Sequence, residues 1–435
     1  MATPRGAGGV AIVRLSGPDA VAIAAALVGR PPAALADRRL SAGVARDDDG
    51  ARLDDVLVVA MRAPRSFTGE DVAEIHGHGG VVNAGRLLRA VLARGARLAE
   101  PGEFSRRAFE HGRLDLAAAE GLLGVIEASS ERAWRVAQAQ LEGRMSERVA
   151  ALRARLTAAL AEIEACVDFP EEGLEHLAAT DVAAEVAAIG AACAALAATF
   201  RLGRALRDGV EVALVGAVNA GKSSLFNALL GRERSIVSAE PGTTRDYVEA
   251  RVEWDGVTVT LVDTAGDRIA TEDVERRGVE LGRERSRRAD VVLWIDEAGA
   301  APPAEVLEVL GDAAAARMIV VQSKGDLRPA VAGTVWTSAR SGAGLDELRA
   351  RVLAVAGALD GGSDEVIVTS ERQRGLLAGA AEAAAAAAAA LTNAVPLEMV
   401  AVDVRAALAA LAALTGDEVG DDVLDVLFAR FCIGK

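Results

Sequence analysis

The chain has 435 residues, more than one ordinary core accommodates, which predicts two to four domains. Its 48 lysines and arginines against 63 aspartates and glutamates leave a formal charge of −15, which excludes coating of nucleic acid by bulk electrostatics but not local docking. Hydrophobic residues make up 51% and aromatics 3%, so helix-rich cores are expected; no apolar run reaches transmembrane length without charge and no basic-then-apolar leader opens the sequence, which points to a cytoplasmic protein with no membrane association.

Residues 1–112 read as mixed α/β, with strands predicted over 9–15, 55–61 and 72–78 and helices over 18–28 and 81–94. Within 72–78, Glu74, His76 and His78 alternate and share one face. A metal site there lacks a third histidine or cysteine nearby, and ordinary polar contacts or ligand binding are the competing reading. From Asp115 the pattern turns to long helices: Leu141, Met145, Val149, Leu152, Leu156, Leu160 and Ile163 recur at steps of three and four as one bundle stripe, and 182–202 continues it. Alternation of strand, loop and helix runs from Val210 to about Gly357. Helices then resume over 370–391, 397–414 and 419–431, including the alanine run 384–390, since alanine is the best helix former. Gly361-Gly362-Ser363 marks the return. The predicted class is multidomain α/β plus all-α: an N-terminal α/β domain (1–112), a helical bundle domain in two parts (113–204 and 363–435), and an inserted Ras-like P-loop domain with a mostly parallel sheet (205–362). Arginine clusters at Arg201, Arg204, Arg207 and at Arg283, Arg285, Arg287, Arg288 read either as solvated helix faces or as local docking points. Cys166, Cys193 and Cys432 are odd in number and widely spaced, against both a disulfide framework and metal-ligand spacing.

The inserted segment opens with Gly216-Ala217-Val218-Asn219-Ala220-Gly221-Lys222-Ser223, which fits the phosphate-loop pattern between an apolar strand and a helix. Its glycines let backbone N–H groups curl round an anion, Lys222 is placed for the β and γ phosphates, and the Ser223 hydroxyl for Mg²⁺. Asn219, Ala220, Gly221, Lys222, Ser223 and Ser224 are therefore candidate nucleotide-binding residues. Asp263-Thr264-Ala265-Gly266 ends a second strand, where a carboxylate reaches Mg²⁺ through water and the Gly266 amide meets the γ phosphate. Residues 235–245 precede it as a first switch, with Thr244 as the second Mg²⁺ hydroxyl, and a helix over 274–287 follows as a second switch. Asp255-Gly256 signals a hairpin, antiparallel on an otherwise parallel sheet. Ser323-Lys324-Gly325-Asp326 stands where G proteins carry N-K-x-D, the aspartate taking two guanine N–H donors. Ser338-Ala339-Arg340 resembles the last guanine loop. Ser323 replaces asparagine, and a hydroxyl is not expected to span the same loop-to-loop hydrogen bonds, so a lower guanine affinity is anticipated.

Together these motifs resemble the TrmE-Era-EngA branch of GTPases. Phe431-Cys432-Ile433-Gly434-Lys435, the switch Gly242 to Asp246, the phosphate loop with Asn219, and the stretches Ser66 to Asp71, Gly77 to Gly80 and Pro101 to Ser105 resemble more narrowly the MnmE (TrmE) family of tRNA uridine-modification GTPases. That resemblance covers nearly the whole chain. It implies a homodimer through folate-binding-type N-terminal domains, K⁺-dependent GTP hydrolysis, and an FAD-containing MnmG-type partner in a heterotetramer. The partners together add an aminomethyl or carboxymethylaminomethyl group at C5 of the wobble uridine of certain tRNAs. By motif position it assigns K⁺ to Asn219, Ser238, Glu240 and Thr243, and water positioning to Glu275. It assigns 5-formyltetrahydrofolate or methylenetetrahydrofolate to Arg14, Glu74, Arg113 and Lys435. Cys432, near the terminal lysine, reads either as a participant in modification chemistry or as a buried small hydrophobe. Arg113 stands where lysine is usual, a planar fork in place of a point charge. Asp267 stands where an apolar residue is typical and is expected to loosen the second switch. The family's short strand before Ala2-Thr3-Pro4 is preceded here only by Met1, so either the chain starts upstream or that strand is absent. Two other readings compete. A regulatory GTPase of ribosome assembly is disfavoured by the lack of a recognisable KH-type tail and by the folate-type N-terminal half. A folate-dependent one-carbon transferase with a degenerate nucleotide site has only Ser323 in its favour.

Overall fold

The structure, a computed structural model, describes residues 1–4, 6–168, 179–217, 219–231, 248–263, 285–359, 366–393, 395–417, 419–431 and 434. They divide into two units, Met1–Leu123 with Ala412–Lys435, and Gly124–Leu411.

In the first unit, β1 (Val10–Ser16), α1 (Ala20–Leu27), β2 (Ser41–Arg46), β3 (Arg52–Met61), β4 (Val72–His78) and α2 (Val81–Ala93) follow one another, then α3 (Glu103–Glu110) and α4 (Leu116–Glu127). The strands form an antiparallel sheet in the order β1-β4-β3-β2. Period-2 alternation sends Val13, Leu15, Val56, Val58, Ala73 and Ile75 to one face, where they bury against Ala24 and Leu27 of α1 and Leu87 and Val91 of α2. Gly77 sits under α2 so closely that a Cβ would lie 2.5 Å from Leu87, which explains a glycine in mid-strand. The other face carries Arg14, Glu74 and His76, with Arg14 and Glu74 directly paired across β1 and β4. β2 was not predicted: its Ser-Ala-Gly-Val-Ala-Arg composition has little apolar alternation. The terminal helix Asp421–Phe428 packs its Leu424, Leu427 and Phe428 against Leu116 and Phe109, and Arg106 of α3 pairs with its Asp425.

In the second unit, α5 (Glu131–Leu141), α6 (Arg144–Asp168), α7 (Ala179–Ala198) and α8 (Phe200–Asp208) lead into β5 (Val210–Gly216) and α9 (Lys222–Leu230). β6 (Val248–Trp254), β7 (Val257–Asp263), β8 (Val291–Asp296), α10 (Ala304–Leu310), β9 (Met318–Gln322), β10 (Val335–Trp336) and α11 (Leu345–Ala356) follow; α12 (Glu371–Thr392) and α13 (Leu397–Thr415) close the series. The expected single stripe is two helices: Gly143, at φ +91°, breaks it between Leu141 and Met145, and Ala159, not Leu160, is fully buried beside Leu156 and Ile163. The alanine run lies inside α12 and packs along α7, where a Cβ on Gly190 would stand 3.2 Å from Ala384, an approach only small side chains permit. By length and hydropathy alone α12 and the stretch Asp181–Asp208 meet the criteria for a membrane span; their composition is the alanine-rich one that a helix-on-helix contact requires.

The sheet order is β10-β9-β8-β5-β7-β6, parallel except for β6. Asp255 and Gly256 both have positive φ, 49° and 76°, as the predicted two-residue hairpin requires. The chain leaves and re-enters the helices at adjacent points: Val368 N donates to Thr199 Oγ1 at 3.0 Å. There the buried Gln140 donates to Ile367 O at 2.7 Å and accepts from Thr369 Oγ1 at 3.1 Å, and Gln373 accepts from the Thr369 amide. Ser130, the N-cap of α5, donates to Gly256 O at 2.6 Å, so one helix touches the hairpin at its start and the return segment at its end.

Candidate nucleotide-binding and N-terminal sites

A parallel sheet gathers its loops at the C-terminal ends of its strands, and these carry the predicted nucleotide residues. After β5 the loop turns through Asn219 at φ +63° and Gly221 at φ +92°, then Lys222 starts α9. The Lys222 ammonium is nearly buried and donates to Gly216 O at 3.0 Å and Ala217 O at 2.8 Å. Two loop carbonyls thus fix the ammonium at this turn. Ser223 Oγ donates to Asp263 Oδ2 at 3.3 Å, which joins the two groups predicted to serve one divalent cation. Asn219, Ser223 and Ser224 are exposed and Ala220 is buried.

The two loops predicted to contact guanine converge on the same pole. Ser338 Oγ donates to Asp326 Oδ1 at 2.9 Å and aligns its carboxylate. Ala339 and Arg340 continue the turn, closed by Gly342 N donating to Ser338 O at 2.8 Å. Lys324, at φ +53°, pairs with Glu297, and its Cε lies 4.0 Å from where a Gly221 Cβ would be. Ser323 corrects an expectation. Its buried hydroxyl donates to Ala220 O at 2.6 Å and does bridge its own loop to the loop after β5, because the two backbones approach closely enough for a short side chain. Sequence patterning missed Asp296, whose carboxylate accepts from the Ala298 and Ala300 amides and shapes the loop carrying Glu297. An aspartate closing an apolar run, followed two residues later by small residues, is the signal that marks such a turn. Ser238, Glu240, Thr243, Thr244, Thr264, Ala265, Gly266, Asp267 and Glu275 lie outside the described residues, as do Cys432 and Lys435.

In the first unit, Arg14 Nε donates to Glu74 Oε1 at 2.7 Å, and Arg14 Nη1 donates to Gly434 O at 3.3 Å. Burial works to raise the Glu74 carboxyl, yet hydrogen bonds from His76 and Arg14 hold it below the usual carboxylate range. The Glu74, His76, His78 row does not meet as a metal cluster: His78 turns to Asp54 at 2.6 Å, and among the described residues no group of three such ligands forms. Arg113 is exposed and lies against Gly69, its Cγ 3.6 Å from where a Cβ on that glycine would be. Beside Arg14, whose guanidinium lies 6.0 Å from the Phe104 ring, a cleft of about 250 Å³ opens between β1, α1, α2 and α3. Ser16, Arg97, Glu103 and Arg107 are among its lining residues. Ser16 donates to Glu70 at 3.0 Å, Arg107 to Glu70 at 2.6 Å and to Glu103 at 2.7 Å, and Arg97 to Glu103 at 2.5 Å.

A family model described as the MnmE helical domain matches residues 116–432, and one described as the GTP-binding protein TrmE N-terminus matches residues 1–113. The tRNA modification GTPase MnmE of Geobacter sulfurreducens is 40% identical over 447 residues, spanning 100% of this chain and 98% of that one. The protein of the same name from Nitratidesulfovibrio vulgaris strain DP4 is 41% identical over 450 residues, with the same coverage. Among solved structures, a variant of Aquifex aeolicus Era bound to GDP.AlF4- is 28% identical over 40% of this chain and 66% of that chain, with a TM-score of 0.26.

Proposed function

The chain belongs to the MnmE family of tRNA modification GTPases, and from that premise we propose that its GTP hydrolysis is K⁺-dependent and drives modification at C5 of the wobble uridine. It is a GTP hydrolase acting in tRNA modification, and GTP binding follows from the family. The observation that supports the GTP-hydrolysing part of the reading is the convergence of Lys222, the Ser223 and Asp263 pair, and Asp326 with Ser338 at one pole of the sheet.

In this reading Asn219, Ala220, Gly221, Lys222, Ser223 and Ser224 bind the phosphates, and Ser323, Lys324, Asp326, Ser338, Ala339 and Arg340 bind guanine. Lys222 exchanges its carbonyl partners for phosphate oxygens. Ser223 and Asp263 fit Mg²⁺, a hydroxyl and a buried carboxylate already in hydrogen-bond contact, with Thr244 as the other ligand. The cation supplies charge neutralisation as the γ phosphoryl departs. Asn219, Ser238, Glu240 and Thr243 hold K⁺, and Glu275 orients water, with Thr264, Ala265 and Gly266 lining the γ phosphate. Arg14, Glu74, Arg113 and Lys435 hold a 5-formyl- or methylenetetrahydrofolate; the Arg14–Glu74 pair beside a cleft walled by Phe104 suits a flat ring with polar edges. Cys432 takes part in modification chemistry. We further propose the boundaries 1–112, 113–204, 205–362 and 363–435, a homodimer through the N-terminal domains, an FAD-containing MnmG-type partner, and a cytoplasmic site of action.

The test is mass spectrometry of tRNA nucleosides from cells lacking the protein. Loss of the C5-modified wobble uridine is expected, and unaltered modification would sink the reading.

A further inference from the structure

The C-terminal ends of β8 and β9 are joined by an ion pair that the nucleotide motifs do not account for. Glu297, directly after β8, pairs with Lys324, which follows β9. Among the described residues Glu297 is the only carboxylate in hydrogen-bond contact with that ammonium. Both backbones are fixed before the side chains meet. Asp296 Oδ1 accepts from the Ala298 amide at 2.8 Å and from the Ala300 amide at 2.9 Å, and Trp294 Nε1 donates to Ala300 O at 3.0 Å, so the turn that carries Glu297 is tied down. On the other side the Ser323 amide donates to Asp296 O at 3.0 Å and the Gly325 amide to Thr337 O at 2.8 Å, which brackets Lys324. Lys324 itself sits at φ +53°, a left-handed conformation that is unfavourable for a residue with a Cβ and that these neighbouring bonds hold in place.

The course of the lysine stem gives the pair its meaning. Lys324 is anchored through its backbone beside Asp326 and through its ammonium on Glu297, and its Cε passes 4.0 Å from where a Cβ on Gly221 would stand. The methylenes therefore lie as a bar between the loop of Asp326 and the loop of Gly221 and Lys222. With the base at Asp326 and the phosphates at Lys222, the nucleoside that joins them crosses this bar. A lysine stem offers apolar surface to the flat face of a ring while its charged end stays clear of it. Left free, so long a side chain must be ordered when the ligand arrives, and that ordering weakens binding. Glu297 orders it beforehand. The two side chains keep 37% and 36% of their surface exposed, and a pair so open adds little to the stability of the fold.

We propose that Glu297 is a positioning residue for guanine-nucleotide binding, acting through Lys324. The proposal rests on the GTP-hydrolysing reading and adds a residue that the nucleotide motifs omit. Because Glu297 acts on the stem beneath the nucleoside, GDP and GTP gain alike and the hydrolytic step does not depend on it.

The test is a fluorescent-nucleotide titration of the full-length protein, with steady-state hydrolysis beside it. Glu297→Gln keeps the size of the side chain and removes its charge. The Kd for both GDP and GTP is expected to rise about three- to tenfold, the penalty for ordering one long side chain on binding. KM is expected to rise with it, while kcat at saturating GTP stays at the wild-type value. Glu297→Asp, which retains the charge on a shorter stem, is expected to recover part of the affinity. Lys324→Met keeps an apolar stem without the ammonium, and in that background Glu297→Gln is expected to add nothing, since its partner is already gone. A wild-type Kd in Glu297→Gln, or a loss of the same size with and without Lys324→Met, would overturn the positioning role while a wild-type chain that hydrolyses GTP keeps the broader reading intact. A wild-type chain that holds neither GDP nor GTP would overturn both.

Discussion

Ser323 shows how a single hydroxyl substitutes for a longer amide. Its 2.6 Å bond to the Ala220 carbonyl is buried, so removing the donor strands an acceptor at a cost of about 1–3 kcal/mol. Ser323→Ala is therefore expected to weaken GTP binding by about tenfold in a fluorescent-nucleotide titration; undiminished affinity would show that the loops are held by other means. Nothing in the motif string foretold this bond, because the separation of the two loops is a tertiary quantity. Glu103 acts through charge. Burial alone would raise its carboxyl, but hydrogen bonds from Arg97, the Glu100 amide and Arg107 hold it down to about 2 from an ordinary 4.5. A carboxyl depressed in the folded state stabilises fully above the unfolded value and loses that contribution as pH falls toward the folded one. Stability should then decline between about pH 5 and pH 2, and Glu103→Gln should flatten that limb when thermal unfolding is followed by circular dichroism. An unchanged acid limb would discount the network of Arg97, Arg107 and Glu70.

At the level of elements, α5 does most to join the parts of the second unit. Its N-cap Ser130 reaches Gly256 in the β6–β7 turn and its Gln140 holds Ile367 and Thr369. Gln140→Leu keeps the volume but leaves the Ile367 carbonyl and the Thr369 hydroxyl without these partners, an expected loss of about 2–4 kcal/mol read as a lower urea midpoint. A midpoint equal to wild type would mean that water replaces the amide. Elements with strong periodicity were legible: β4, the hairpin turn at Asp255-Gly256, and the alanine-rich α12 all follow from local pattern and turn chemistry. Others were not. The stripe from Leu141 to Ile163 keeps its period across Gly143, so periodicity cannot see the break that a left-handed glycine makes. β8 is a short unbroken apolar run, which carries no period to separate strand from buried helix.

For the whole molecule, the nucleotide motifs were readable because the pattern ties each fixed residue to one expected phosphate, metal or base contact, whereas the folate candidates came only through family resemblance. Arg14 and Glu74 meet in one ion pair, and Arg113 is exposed. The K⁺ assignment has a direct measurement. GTP hydrolysis is expected to run much faster in K⁺ than in Na⁺ at equal ionic strength, with the difference reduced in Asn219→Ala, and equal rates would remove the role given to Asn219. The hydrogen bond between Thr199 and Val368 also bears on how the chain can be assembled. Seen from the bundle, everything between those two residues is a single loop whose ends already touch, and the entropy of closing a loop grows only logarithmically with its length. The helices therefore tolerate a large guest at little more expense than a short one, and a brief glycine-serine splice at that junction should let them close without it.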